Sequence, residues 1–89
     1  MSEYAHLVMA SQVSRQIKDI VGDNVALARK SKGLTQSELG RRIGVEGMAV
    51  SRWERGSSRP SDTNLQAVAE VLGRNFVWFF IDRLDGEAA

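Results

Sequence analysis

Four glycines set the scale of this chain. Gly33, Gly44, Gly56 and Gly73 each close a stretch whose apolar residues recur at helical spacing. A glycine in that place commonly stops a helix in the left-handed conformation. The pieces between them are short, and none alternates in the manner of a strand. The chain therefore reads as all-α, a series of short helices. At 89 residues it is one domain. It holds no cysteine, which removes disulfides, thiolate nucleophiles and cysteine zinc sites together. Stability must then come from helix packing or from a partner subunit.

The individual helices can be placed from their ends. Val13, Ile17, Ile20 and Val21 open a first helix that Gly22-Asp23 interrupts or that continues through Val25 to Lys32. A second starts at Thr35, where Glu38 three residues on completes a capping box and Leu34 with Leu39 forms a hydrophobic staple. It stops at Gly44. A third runs from about Glu46 to Arg55, with Val50 and Trp53 inward and Met48, Arg52 and Arg55 on another face. A fourth is capped by Ser61 and buries the stripe Leu65, Val68, Ala69 and Leu72. A fifth begins near Asn75 and carries Phe76-Val77-Trp78-Phe79-Phe80-Ile81, then Leu84. Residues 1–11 read as a loose arm, 12–84 as the folded domain with an N-terminal helical extension, and 85–89 as a frayed end.

Charge is distributed unevenly. The net value is only +1. Between Arg29 and Arg59, however, eight basic residues face three acids, a local excess of five. The remainder holds four bases and eight acids. A basic middle between acidic flanks points one face of the molecule toward a polyanion. The second and third helices, joined through Gly44-Val45, suit a helix-turn-helix, with Gly40 small enough for a close crossing.

These residues carry a resemblance. Leu34-Thr35-Gln36-Ser37-Glu38-Leu39-Gly40, Ile43-Gly44-Val45, Val50-Ser51-Arg52-Trp53-Glu54-Arg55-Gly56 and Arg59-Pro60-Ser61 look like the phage repressor and Cro type of helix-turn-helix domain. The likeness runs from about Val25 to Phe80. It implies a five-helix, lambda-repressor-like bundle whose second and third helices dock on double-stranded DNA. Gln36 would then bond a phosphate at a helix N-terminus. Gly47, Met48 and Arg52 fall where that family reads base edges. Arg52 would fork onto guanine and Met48 would touch a thymine methyl. Ser51 and Arg55 would contact base or phosphate, and Ser57, Ser58 and Arg59 the sugar-phosphate backbone. Arg29 and Glu54 would pair in a structural salt bridge. Two departures stand out. The family usually has serine or threonine at the position of Glu46, and Gly47 weakens the helix start.

The implied function is that of a sequence-specific transcriptional regulator, a repressor binding a palindromic operator as a homodimer. The alternative is an antitoxin or another protein-interaction module that uses the same fold to hold a protein partner. Two surfaces are available for a dimer. The first is Phe80, Ile81 and Leu84 on the last helix, with Phe76, Trp78 and Phe79 kept inside. The second is a seam of Val13, Ile17, Ile20, Asn24 and Leu27. An enzyme finds no support, since there is no nucleophile with a base and no close carboxylate pair. The single histidine, His6, has no metal-ligand companions, and no cofactor or metal is expected. No signal peptide and no stretch long enough for a bilayer is read, so a cytoplasmic, nucleoid-associated location is expected.

Overall fold

The computed structural model describes residues 15–83. The expected arm, Val13, Leu84 and the expected frayed end lie outside the described residues. Within them the chain forms α1 (Ile17–Ser31), α2 (Gln36–Ile43), α3 (Gly47–Glu54), α4 (Asp62–Leu72) and a terminal 3-10 helix (Phe76–Phe80). Among the described residues no helix is long and apolar enough to cross a membrane.

The helix starts follow the local chemistry. Thr35 accepts a hydrogen bond from the Glu38 N–H at 3.0 Å, and the Thr35 N–H donates to the Glu38 carboxylate at 2.8 Å. This capping box satisfies two donors that α2 could not otherwise pair. The same contacts hold the Glu38 carboxyl below the usual carboxylate range, the Thr35 N–H first, then the Thr35 side chain, with Arg41 and Arg42 adding attraction. Ser61 caps α4 by accepting from the Asn64 N–H at 3.1 Å. At the far end of α2, Gly44 stands at φ 82°, a conformation most side chains avoid.

Of the two readings left open for the first helix, the continuous one is found: α1 runs unbroken through Gly22 and Asp23. Gly22 is there because α1 crosses α3 closely: a Cβ on it would stand 2.1 Å from the Trp53 carbonyl oxygen. One expectation needs correction, the count of helices. Among the described residues there are four α-helices, and the fifth element is a 3-10 helix of five residues. Phe-Val-Trp-Phe-Phe is aromatic or β-branched throughout, a poor α-helix composition. Its carbonyls are also drawn off by side chains. Asn24 of α1, buried, donates to the Phe79 and Ile81 carbonyls at 2.9 Å each. Arg83 donates to the Trp78 carbonyl at 2.7 Å.

One core joins these elements. It contains Val21, Val25 and Ala28 of α1, Leu39 of α2, Val50 and Trp53 of α3, the Leu65–Val68–Ala69–Leu72 stripe of α4, and Phe79. Each large side chain fully withdrawn from water here contributes about 1.5–3 kcal/mol. Trp53 is a core residue, as its spacing implied. Trp78 is only half-buried and lies between two guanidinium groups, Arg83 at 3.7 Å and Arg74 at 4.5 Å from its ring centre. Arg15 ties the start of α1 to the end of the fold through Asp82 at 2.6 Å, and it also pairs with Asp23.

Candidate nucleic-acid interface

The pairing of α2 with α3 is enforced by two glycines that touch in opposite directions. A Cβ on Gly40 would lie 2.6 Å from the Val45 carbonyl oxygen and 3.1 Å from the Gly47 nitrogen. A Cβ on Gly47 would lie 2.8 Å from the Ser37 hydroxyl oxygen and 3.1 Å from its Cα. The turn is closed by the Val45 N–H donating to the Gly40 carbonyl at 2.8 Å. Gly47 therefore serves the contact between helices, a reason within the protein for the residue at that position. Glu46 stands at the N-cap of α3 and makes no capping bond, as the mismatch with the usual cap residues suggested.

Beneath the crossing lies an ion pair. Arg29 Nε donates to Glu54 Oε2 at 2.6 Å and Nη2 donates to Oε1 at 2.9 Å. The two side chains are 10% and 8% exposed. Hydrogen bonding to Glu54 raises the arginine above its ordinary value, against the opposing effect of burial. A third Arg29 nitrogen donates to the Leu34 carbonyl at 2.7 Å and so fixes the turn that enters α2. Gln36, the first residue of α2, joins the same group. Its Nε2 donates to Glu54 Oε1 at 2.9 Å. Sequence reasoning placed Gln36 and Glu54 in separate roles, and nothing in their spacing signalled the bond.

The outer side of α3 is open. Met48 is 57% exposed. Arg52 and Arg55 are also exposed, and Ser51 is half-buried between them. Met48, Ser51, Arg52 and Arg55 follow helical spacing and form one strip. Arg55 donates to the Ser51 hydroxyl, whereas the Arg52 side chain makes no hydrogen bond or ion pair among the described residues. The loop after α3 carries Ser57, Ser58 and Arg59. The Ser57 N–H donates to the Arg52 carbonyl at 2.9 Å. Arg59 is turned toward Asp62 at 3.9 Å and lies 5.2 Å from the centre of the Phe80 ring.

The residues expected at a dimer contact differ in exposure. Ile17 is 52% and Ile81 50% exposed, while Phe80 is half-buried and packs at a tilt on Phe76, ring centres 5.2 Å apart. Asn24 does not belong to a polar seam, because its amide is spent on the Phe79 and Ile81 carbonyls. Val77, 62% exposed, adds apolar surface that the sequence did not single out. Among the described residues no group of His, Cys, Asp or Glu could hold a metal ion.

Comparison with known proteins matches this architecture. Residues 25–79 fit the helix-turn-helix family HTH_3. The repressor protein C2 of Salmonella phage P22 is 34% identical over 53 residues, 60% of this chain and 24% of its own. The HTH-type transcriptional regulator DicA of Escherichia coli is 34% identical over 58 residues, 65% of this chain and 43% of its own. The chain thus spans less than half the length of either relative. An uncharacterised HTH-type transcriptional regulator, y4dJ of Sinorhizobium fredii, is 38% identical over 68% of this chain and 79% of its own length. Among solved structures, the P22 c2 repressor in complex with a synthetic operator superposes with a TM-score of 0.66 at 29% identity, covering 74% of this chain and 96% of that one. A hypothetical transcription factor from Neisseria gives 0.74 at 25% identity, covering 82% and 84%. With more than half of its length matched, the chain belongs to the helix-turn-helix family HTH_3.

Proposed function

We propose that the chain is a DNA-binding transcriptional regulator that acts as a repressor, with α3 as the helix that enters the major groove. The observation that carries this reading is the open strip on α3. Val50 and Trp53 hold the helix to the core, while Met48 and an unpaired Arg52 stand outward. Arginine can bond guanine O6 and N7 together, and a thioether can pack on a thymine methyl. Gln36 and the first turn of α2 would meet phosphate on one side, and Ser57, Ser58 and Arg55 would meet it on the other. The P22 c2 repressor, which superposes on this fold, was solved on a synthetic operator.

One α3 strip covers too few base pairs for a useful address, so the operator is read by a homodimer on a palindrome. Two-fold partners of this kind reach half-sites roughly 34 Å apart. The exposed Ile81 and Ile17, with Phe80 and Leu84, are assigned to the contact. The test is a selection from random duplexes followed by binding at increasing salt. Affinity is expected to fall steeply as salt rises, because basic side chains displace counterions. The selected sequence is expected to be two-fold symmetric. A protein that retains no duplex at low salt would overturn the reading and favour the protein-interaction alternative.

A further inference from the structure

We propose that Glu54 is a positioning residue for Gln36, so that the buried ion pair with Arg29 presets a phosphate contact as well as the fold. This rests on the reading of α2 and α3 as a DNA-binding unit. Glu54 receives three hydrogen bonds, two from Arg29 and one from Gln36. The bond from Gln36 Nε2 uses one of its two N–H groups and fixes the plane of the amide. The second N–H and the carbonyl oxygen are left for another group. Gln36 opens α2, where backbone N–H groups also lack helical partners. An amide already held in place gives up less rotamer freedom on binding than a free one.

Among the described residues no other side chain bonds Gln36. The first residue of α3 is Gly47, which has none and is pressed against Ser37. The holder comes instead from Glu54, two turns further along α3. A bare carboxylate at that place would repel phosphate. Arg29 offsets its charge, and the same guanidinium pins the Leu34 carbonyl just ahead of α2. Arg29, Glu54 and Gln36 therefore form a chain of bonds from the core to the helix end.

The experiment measures affinity for a duplex selected by the wild type, using Gln36→Met, Glu54→Leu, the double variant and Glu54→Gln. Each is first shown by thermal melting to be folded at the assay temperature. Gln36→Met is expected to lower affinity about tenfold, the scale of one hydrogen bond to a charged group. Glu54→Leu should lose a similar factor, the double variant no more than the larger single loss, and Glu54→Gln, which keeps a carbonyl acceptor, should recover part of it. Additive losses in a wild type that binds would overturn the proposal alone. A wild type that binds no duplex would overturn it together with the functional reading. If Glu54→Leu does not fold, the side-chain amide resonances of Gln36 decide. They should be shifted away from those of free glutamine in the wild type, and change in Glu54→Gln. Resonances of a free amide in the wild type would overturn the proposal.

Discussion

The two sides of α3 obey different rules. On the inner side every group is fixed: Val50 and Trp53 sit in the core, Glu54 is bonded to Arg29 and Gln36, and the Trp53 carbonyl lies against Gly22. On the outer side Met48 and Arg52 touch little of their own chain. Eight residues thus carry a mechanical role and a recognition role, and the two are separated by helical period rather than by sequence position. Substitutions inside should change stability, with Glu54 alone also reaching binding through Gln36, and those outside should change binding. The lesson is that a short helix can be held rigidly enough to present side chains that are themselves unconstrained.

The largest effect is expected at the ion pair. Glu54→Ala removes one charge and leaves the Arg29 guanidinium, 10% exposed, without its partner. Breaking a fully buried pair in this way costs about 3–5 kcal/mol, which is the upper bound for this part-buried one. The loss should appear as a large fall in melting temperature. An unchanged melting curve would show that the inner side is not held by this pair. Next comes Gly22→Ala. A single methyl at that place meets the Trp53 carbonyl oxygen, and backbone on both helices must move. Overpacking of this kind costs about 1–3 kcal/mol. Gly33→Ala, with nothing near its Cβ, is a useful contrast, because its strain is conformational alone.

Much of this arrangement was legible in the chain, and what was not has identifiable causes. Thr35 with Glu38, and Ser61 before Asp62, are local signals whose geometry is decided within a few residues. The stripe from Leu65 to Leu72 and the inward Val50 and Trp53 follow from period alone. The long-range contacts were harder to read. Gly22 left open whether the first helix breaks, since the Trp53 carbonyl it accommodates lies thirty-one positions away in sequence. Asn24 looked like the polar position of a seam, whereas it bonds two carbonyls at the other end of the fold. The apolar run from Phe76 suggested an α-helix because carbonyls captured by side chains leave no mark on hydrophobic period. In the interface, exposure of Met48 and Arg52 agreed with their spacing, but the bond from Gln36 to Glu54 depended on a crossing that the sequence does not display.

On the outer side, Arg52→Ala should leave the melting temperature unchanged, since the side chain makes no hydrogen bond or ion pair among the described residues. It should cost about 1–3 kcal/mol on the selected operator and relax preference at one base pair. Titration of the variant against the operator and against random duplex separates two cases. Equal losses on both would move Arg52 from base to phosphate and blur the division between the strip and the loop after it.

The smallest effect concerns the start of α2, which belongs to neither side of α3 but sets its partner in place. Glu38 is half-buried, and its carboxyl lies below the usual range because the charged form accepts from the Thr35 N–H. A group whose value is depressed on folding contributes stability above its unfolded value, near about 4.3 for glutamate. That contribution fades as pH falls through the folded value. Glu38→Gln keeps an acceptor for the N–H but has no charge. Wild type should therefore melt above Glu38→Gln near neutrality, and the two curves should converge as the solution is acidified below the carboxylate range. Thr35→Ala, which removes the other half of the box, should cost about 1 kcal/mol. A gap between wild type and Glu38→Gln that persisted undiminished in acid would show that shape at this cap matters, and charge does not.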